Sequence, residues 1–160
     1  MDLKGINMQM SSKKAFTMIE LVFVIVVIGI LAAIAVPKFA ATRDDATITK
    51  AIATVGSVRS AISTERQKRI LRGDFSTIGD LALVGGNDKP IFDFFDGNNT
   101  LPVLEYSLMS CASGAKGCWV RTNATTYTYT MPVSGTVIFT LSNNRFDCPA
   151  NDDNCLLLTK

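Results

Sequence analysis

Residues 16–36 read FTMIELVFVIVVIGILAAIAV, twenty-one residues with one charge, Glu20. As a helix rising about 1.5 Å per residue, this run spans roughly 30 Å, the thickness of a bilayer's hydrocarbon core. It also inflates the 48% hydrophobic content of the chain, so that figure does not describe the rest. Lys13 and Lys14 precede the run; Lys38 and Arg43 follow it, with Asp44 and Asp45 next. This balance favours an N-terminus in the cytoplasm and a C-terminus outside. A cleaved secretory signal is the rival reading, with Ala32-Ala33-Ile34-Ala35 imitating its cleavage site. Against it, the run is longer than the usual apolar stretch of roughly 7–15 residues. The pattern also continues past Pro37 as a second helical stretch.

Glu20 is the informative residue. A carboxylate in a spanning segment is costly, less so near its end. It is either an end residue reaching towards water or an acid that meets a cationic partner on assembly.

The run Lys13-Lys14-Ala15-Phe16-Thr17-Met18-Ile19-Glu20-Leu21, followed by Ile28-Gly29-Ile30-Leu31-Ala32-Ala33-Ile34-Ala35-Val36-Pro37, closely resembles the prepilin signature. Type IV pilins and type II secretion pseudopilins share that signature, and the resemblance covers about residues 13–45. It implies a leader, residues 1–15, removed by a membrane aspartic prepilin peptidase between Ala15 and Phe16. It implies N-methylation of Phe16 by the same enzyme. It implies that Glu20 pairs with the N-terminal amine of a neighbouring subunit, which lets both groups stay charged in a low-dielectric setting. Pro37 matches a common proline position. Ala15 departs from the glycine usual before the cut, and initiation at Met8 or Met10 instead of Met1 would shorten the leader. The implied partners are copies of itself or related pilins, an inner-membrane platform with its ATPase, and lipid before assembly. The implied location is the bacterial inner membrane, single-pass, then a surface or periplasmic filament.

Beyond Pro37, Ile48, Ala51, Ile52, Val55, Val58 and Ile62 recur at helical spacing. One helix is therefore expected over residues 16–72, kinked near Pro37: 16–36 apolar, 37–72 amphipathic. Gly73 is its expected stop. Gly29, Ala32, Ala33 and Ala35 would let neighbouring helices approach closely. The five positive charges of residues 59–72 read first as a solvated face, with a subunit contact to acidic residues as the alternative.

Residues 73–160 read as a sheet-rich extracytoplasmic head. Thr126–Met131 and Thr136–Leu141 alternate with period two around Ser134-Gly135, the mark of a hairpin. Val103–Met109 and Cys118–Thr122 are further candidate strands, and Leu156–Leu158 a short edge strand. The expected fold is α+β: a long N-terminal helix packed on a small antiparallel sheet.

Four cysteines allow three pairings. Equal spacing favours two local bridges, Cys111 with Cys118 and Cys148 with Cys155, in an oxidising compartment. A zinc site of all four thiolates is the rival, although tight Cys-x-x-Cys pairs are missing. The loop with Asp147, Asn151, Asp152 and Asp153 is rich in hard oxygen ligands and looks like the calcium loop of some pseudopilins. A disulfide-closed polar loop needs no ion, so no cofactor is required. Asp96-Gly97-Asn98-Asn99-Thr100 fits a bacterial N-glycosylation sequon and Asn123-Ala124-Thr125 the simpler triplet; both read first as turns.

The chain has no histidine, the commonest general base, and carries no phosphate-binding or dinucleotide fingerprint. A net charge of +2 gives no support to nucleic acid as a partner. The leading expectation is a non-enzymatic filament subunit. The alternative is a singly anchored extracytoplasmic binding protein that never polymerises. The matched residues do not separate a type IV pilus from a type II secretion pseudopilus.

Overall fold

The computed structural model describes residues 16–160. The expected leader, with Met1, Met8, Met10 and Ala15, lies outside the described residues. The chain divides into two compact units, Met1–Ala40 and Ala41–Lys160. Helix α1, Met18–Leu71, runs across that division and through Pro37. Proline has no N–H to give the Ala33 carbonyl one turn back.

In the second unit, α1 buries Ala51, Thr54, Val55, Val58, Ile62, Glu65 and Arg69, one face at three- and four-residue steps. Ile48 and Ile52 are half-buried beside it. The helix ends at Gly73, whose positive φ of 80° suits a residue without Cβ. Gly73 N donates to the Ile70 carbonyl and Asp74 N to the Arg69 carbonyl, the paired bonds of a Schellman cap.

The main sheet is an antiparallel meander of β3 (Cys118–Asn123), β4 (Thr126–Thr130), β5 (Thr136–Ser142) and β6 (Arg145–Asp147). Tyr127 faces Phe139 and Tyr129 faces Val137 across β4 and β5. These side chains point inward while Thr126, Thr128, Thr130, Thr136 and Thr140 point away, so the period-two pattern is realised. Asn143 and Asn144, both at positive φ, make the two-residue turn from β5 to β6. A second, two-stranded sheet pairs β1 (Pro90–Ile91) with β2 (Leu108–Met109).

The core joins the buried face of α1 to Trp119, Tyr127, Tyr129, Val137, Phe139, Leu141 and Phe146 of the main sheet. Phe92 fills the centre, 5.2 Å from Tyr127 and 5.4 Å from Trp119 between ring centroids. Every buried side-chain nitrogen and oxygen among the described residues has a hydrogen-bond partner.

Two strand expectations fail. Of Val103–Met109, only Leu108–Met109 forms a strand. Val103 and Leu104 instead donate to the carbonyls of Asp93 and Phe92, beside Pro102, which has no donor. The tail is helix α2, Asp153–Leu158, and not an edge strand. The Asp152 carboxylate accepts from Asn154 N and Cys155 N, satisfying the open end of that turn, while Cys155 and Leu158 face the core.

Candidate assembly segment

Helix α1 opens on a cap that the periodicity did not reveal, although the Thr-x-x-Glu spacing signals it. Thr17 Oγ1 accepts from Glu20 N at 3.3 Å, and Leu21 N donates to the Thr17 carbonyl at 3.1 Å. Glu20 therefore occupies the first turn of α1, where the helix dipole favours an anion. Its carboxylate has no hydrogen-bond or ion-pair partner among the described residues.

The residues that follow Glu20 along α1, up to Val36, are apolar and none is buried. Phe16 is 76% exposed, Phe23 68% and Phe39 74%, and every large apolar residue between them is exposed too. This is the one described helix long and apolar enough to cross a membrane, and none of its apolar window is buried. An added Cβ at Gly29 would meet nothing within 4 Å. Exposed apolar surface on this scale marks a face meant for lipid or for other protein.

In the second unit, the structure bonds Cys111 to Cys118 and Cys148 to Cys155, with Cα atoms 5.4 and 5.8 Å apart. All four thiols are thus consumed, and the four-thiolate zinc alternative falls away. The candidate calcium residues do not converge. Asp147 is gripped by Arg59 Nη2 at 2.7 Å and by Arg145 Nε at 2.8 Å. Asp152 caps α2, and Asn151 and Asp153 are exposed. No cluster of three or more acidic or cysteine side chains among the described residues is placed to hold a metal ion.

The positive stretch over residues 59–72 is not simply a solvated face. Arg59 bonds Asp147 and the Phe146 carbonyl, and Arg66 the Ser76 carbonyl. Arg69 is buried between Glu65 and Asp96. Burial pulls the Arg69 pKa down, but its bonds to Asp96 and Glu65 outweigh this and raise it. Sequence spacing could not show the two aspartate partners, because Asp96 and Asp147 lie 27 and 88 positions away from theirs, whereas Glu65 stands one helical turn before Arg69.

Another acid, Asp80, is the polar hub of the unit. It receives Arg121 and the Tyr127 hydroxyl, and its Oδ1 also accepts from Leu81 N and Ala82 N. The Arg121 pKa is raised, chiefly by its bond to Asp80. Burial, and then the neighbouring Asp80 charge, push the Tyr127 phenol well above its usual range. These groups hold one another, leaving a structural clasp and not a reactive site.

The family described as "Prokaryotic N-terminal methylation motif" matches residues 10–36. Among curated relatives, the type IV narrow pilus major component PilA5 of Thermus thermophilus is 52% identical over 59 residues. That stretch is 36% of this chain and 51% of the relative. A fimbrial protein of Pseudomonas aeruginosa is 41% identical over 64 residues, 40% of this chain and 39% of the relative. The type IV major fimbrial protein FimA of Dichelobacter nodosus is 41% identical over 54 residues, 34% of this chain and 35% of the relative. The chain thus spans about half or less of the length of the relatives it matches. No solved structure matches it. These findings support the type IV pilin-like family that the N-terminal residues resemble.

Proposed function

We propose that this chain, type IV pilin-like by its N-terminal segment, is a structural subunit of a type IV pilus-like filament. The observation that carries the reading is the uncovered apolar stretch of α1 with one acid at its start, Glu20, whose carboxylate has no partner among the described residues. Such a stretch needs lipid before assembly and like helices afterwards. An unpaired carboxylate within it favours a neighbour that brings a positive charge. The natural donor is the free amine that cleavage between Ala15 and Phe16 would create. In this reading prepilin peptidase makes that cut and methylates Phe16. The N-terminus then faces the cytoplasm and the head lies outside the inner membrane. A platform with its ATPase extrudes the filament. The names of the relatives favour a pilus over a secretion pseudopilus.

The test is incorporation of Glu20→Ala into sheared filaments, beside membrane levels of the same variant. Loss from filaments with normal membrane levels is expected. Membrane levels alone, with wild-type protein also missing from every filament, would leave a singly anchored protein and overturn the reading. Intact-mass measurement of the mature chain checks processing: it should begin at N-methylated Phe16.

A further inference from the structure

Asn98 stands at the tip of an exposed loop whose neighbours Gly97, Asn99 and Thr100 are exposed as well. Its side-chain oxygen accepts from Thr100 N at 3.0 Å and from the Thr100 hydroxyl at 2.7 Å. The carboxamide nitrogen takes no described partner and is left to solvent. Two residues earlier stands Asp96. The second triplet, at Asn123, repeats the turn: Asn123 Oδ1 accepts from Thr125 N at 3.0 Å and lies 3.2 Å from the Thr125 hydroxyl. Its residue two places earlier is Arg121, not an acid. The chain therefore carries two sites of like side-chain turn that differ in the sign of the charge two residues earlier.

We propose that Asn98 is an N-glycan acceptor and that Asn123 is not. The donor is a glycan linked to a lipid pyrophosphate, and a separate membrane oligosaccharyl transferase carries out the transfer. The Asn98 nitrogen attacks the anomeric carbon, and the bond from that carbon to the pyrophosphate oxygen breaks. The lipid pyrophosphate leaves with the electron pair, and the amide proton passes to a base of the transferase. Thr100, donating twice to Asn98 Oδ1, stabilises the negative charge that the carboxamide gains as its nitrogen loses that proton. A cation on the transferase can read Asp96, whereas Arg121 would repel it.

The folded loop adds an order of events. Asp96 Oδ2 is 2.7 Å from Arg69 Nη2, and its Oδ1 accepts from Gly79 N at 2.7 Å and Asp80 N at 3.0 Å. The acid is occupied once the loop closes on α1. The transferase therefore acts on the emerging chain, before Arg69 captures Asp96. The product is compatible with the fold, because the modified nitrogen faces solvent.

The inference rests on the head lying outside the membrane, as in the filament reading. The experiment is peptide mass mapping of the chain isolated from its own cells, wild type beside variants. The peptide holding Asn98 should carry a glycan mass that disappears in Asn98→Gln, Thr100→Val and Asp96→Asn and survives in Asn123→Gln. Arg69→Met breaks the same ion pair as Asp96→Asn but keeps the acid, so it should retain the glycan; its loss there would overturn the order of events. Glu20→Ala should leave the filament yet stay modified, which separates failure of assembly from failure of this proposal. An unmodified Asn98 in the wild type, or a glycan surviving Asn98→Gln, would overturn the assignment.

Discussion

Arg69 Nη2 lies 2.7 Å from Asp96 Oδ2, and Arg69 Nε lies 3.1 Å from Glu65 Oε1, so one buried guanidinium ties the last turns of α1 to the turn at residues 95–97. Removing the cation strands Glu65, which is only 3% exposed, as an unpaired buried charge. Arg69→Met should therefore destabilise the protein by about 3 kcal/mol, in the range for breaking one side of a buried pair. Adding Glu65→Gln should recover part of that loss. Chemical denaturation of the detergent-solubilised protein measures both; an Arg69→Met midpoint equal to wild type would contradict the account.

Tyr127 makes stability fall at alkaline pH. Its hydroxyl accepts from Leu81 N at 2.7 Å and lies 2.8 Å from Asp80 Oδ1, and burial raises its pKa. An unfolded tyrosine ionises at about pH 10. Below that both states keep the proton; above it only the unfolded chain loses it, so stability declines as pH rises beyond about 10. Tyr127→Phe should flatten that decline, with Tyr129, also raised by burial, supplying a remainder. At neutral pH the same variant should lose about 1–2 kcal/mol, since Asp80 Oδ1 and the Ala124 carbonyl lose the phenol as a donor while Leu81 N keeps its bond to Asp80 Oδ1. Denaturation curves at pH 8 to 11 decide it; an unchanged slope would count against Tyr127.

The inward face of α1 was legible because Ala51, Val55, Val58 and Ile62 recur at the period of a helix. The hairpin of β4 and β5 was legible because threonine alternates with aromatic or aliphatic residues there. Strand β6 escaped notice because three residues are too few to show a period. The Asn143-Asn144 pair was the available signal, since asparagine tolerates the positive φ a two-residue turn requires. Leu156–Leu158 misled because a short apolar run has no period, and the capping oxygen of Asp152 decided it. At the assembly segment, Glu20 stood out as a lone charge, whereas the ion pairs of Arg59 with Asp147 and of Arg69 with Asp96 depend on long-range folding.

Each disulfide closes a loop of seven positions. Loop-closure entropy gives roughly 2–3 kcal/mol for a ring of that size. Replacing Cys111 and Cys118 together by serine, or Cys148 and Cys155 together, should lower the unfolding free energy by about that much, with near-additive effects if the bridges act independently. Denaturant titration of the two double variants and the quadruple variant tests this. No difference between oxidised wild type and the quadruple variant would sink it.

Gly117 tolerates no side chain. Its φ is +72°, and an added Cβ would stand 2.6 Å from Thr47 Cγ2 on α1. Gly117→Ala combines backbone strain with a clash, and should destabilise by about 2 kcal/mol or more. Pairing it with Thr47→Ser, which removes the opposing methyl, should restore part of the loss, as read by thermal melting.

All of α1 precedes its covering strands in the chain, and Arg59 waits for Asp147, 88 positions later. While the strands are still being made, the greasy side formed by Ala51, Val55, Val58 and Ile62 lies bare. The meander itself closes quickly, hairpin by hairpin, from neighbours in sequence. The newborn protein is thus most vulnerable to sticking during the interval between its first helix and its last strand, and any helper that shields it must act in that window.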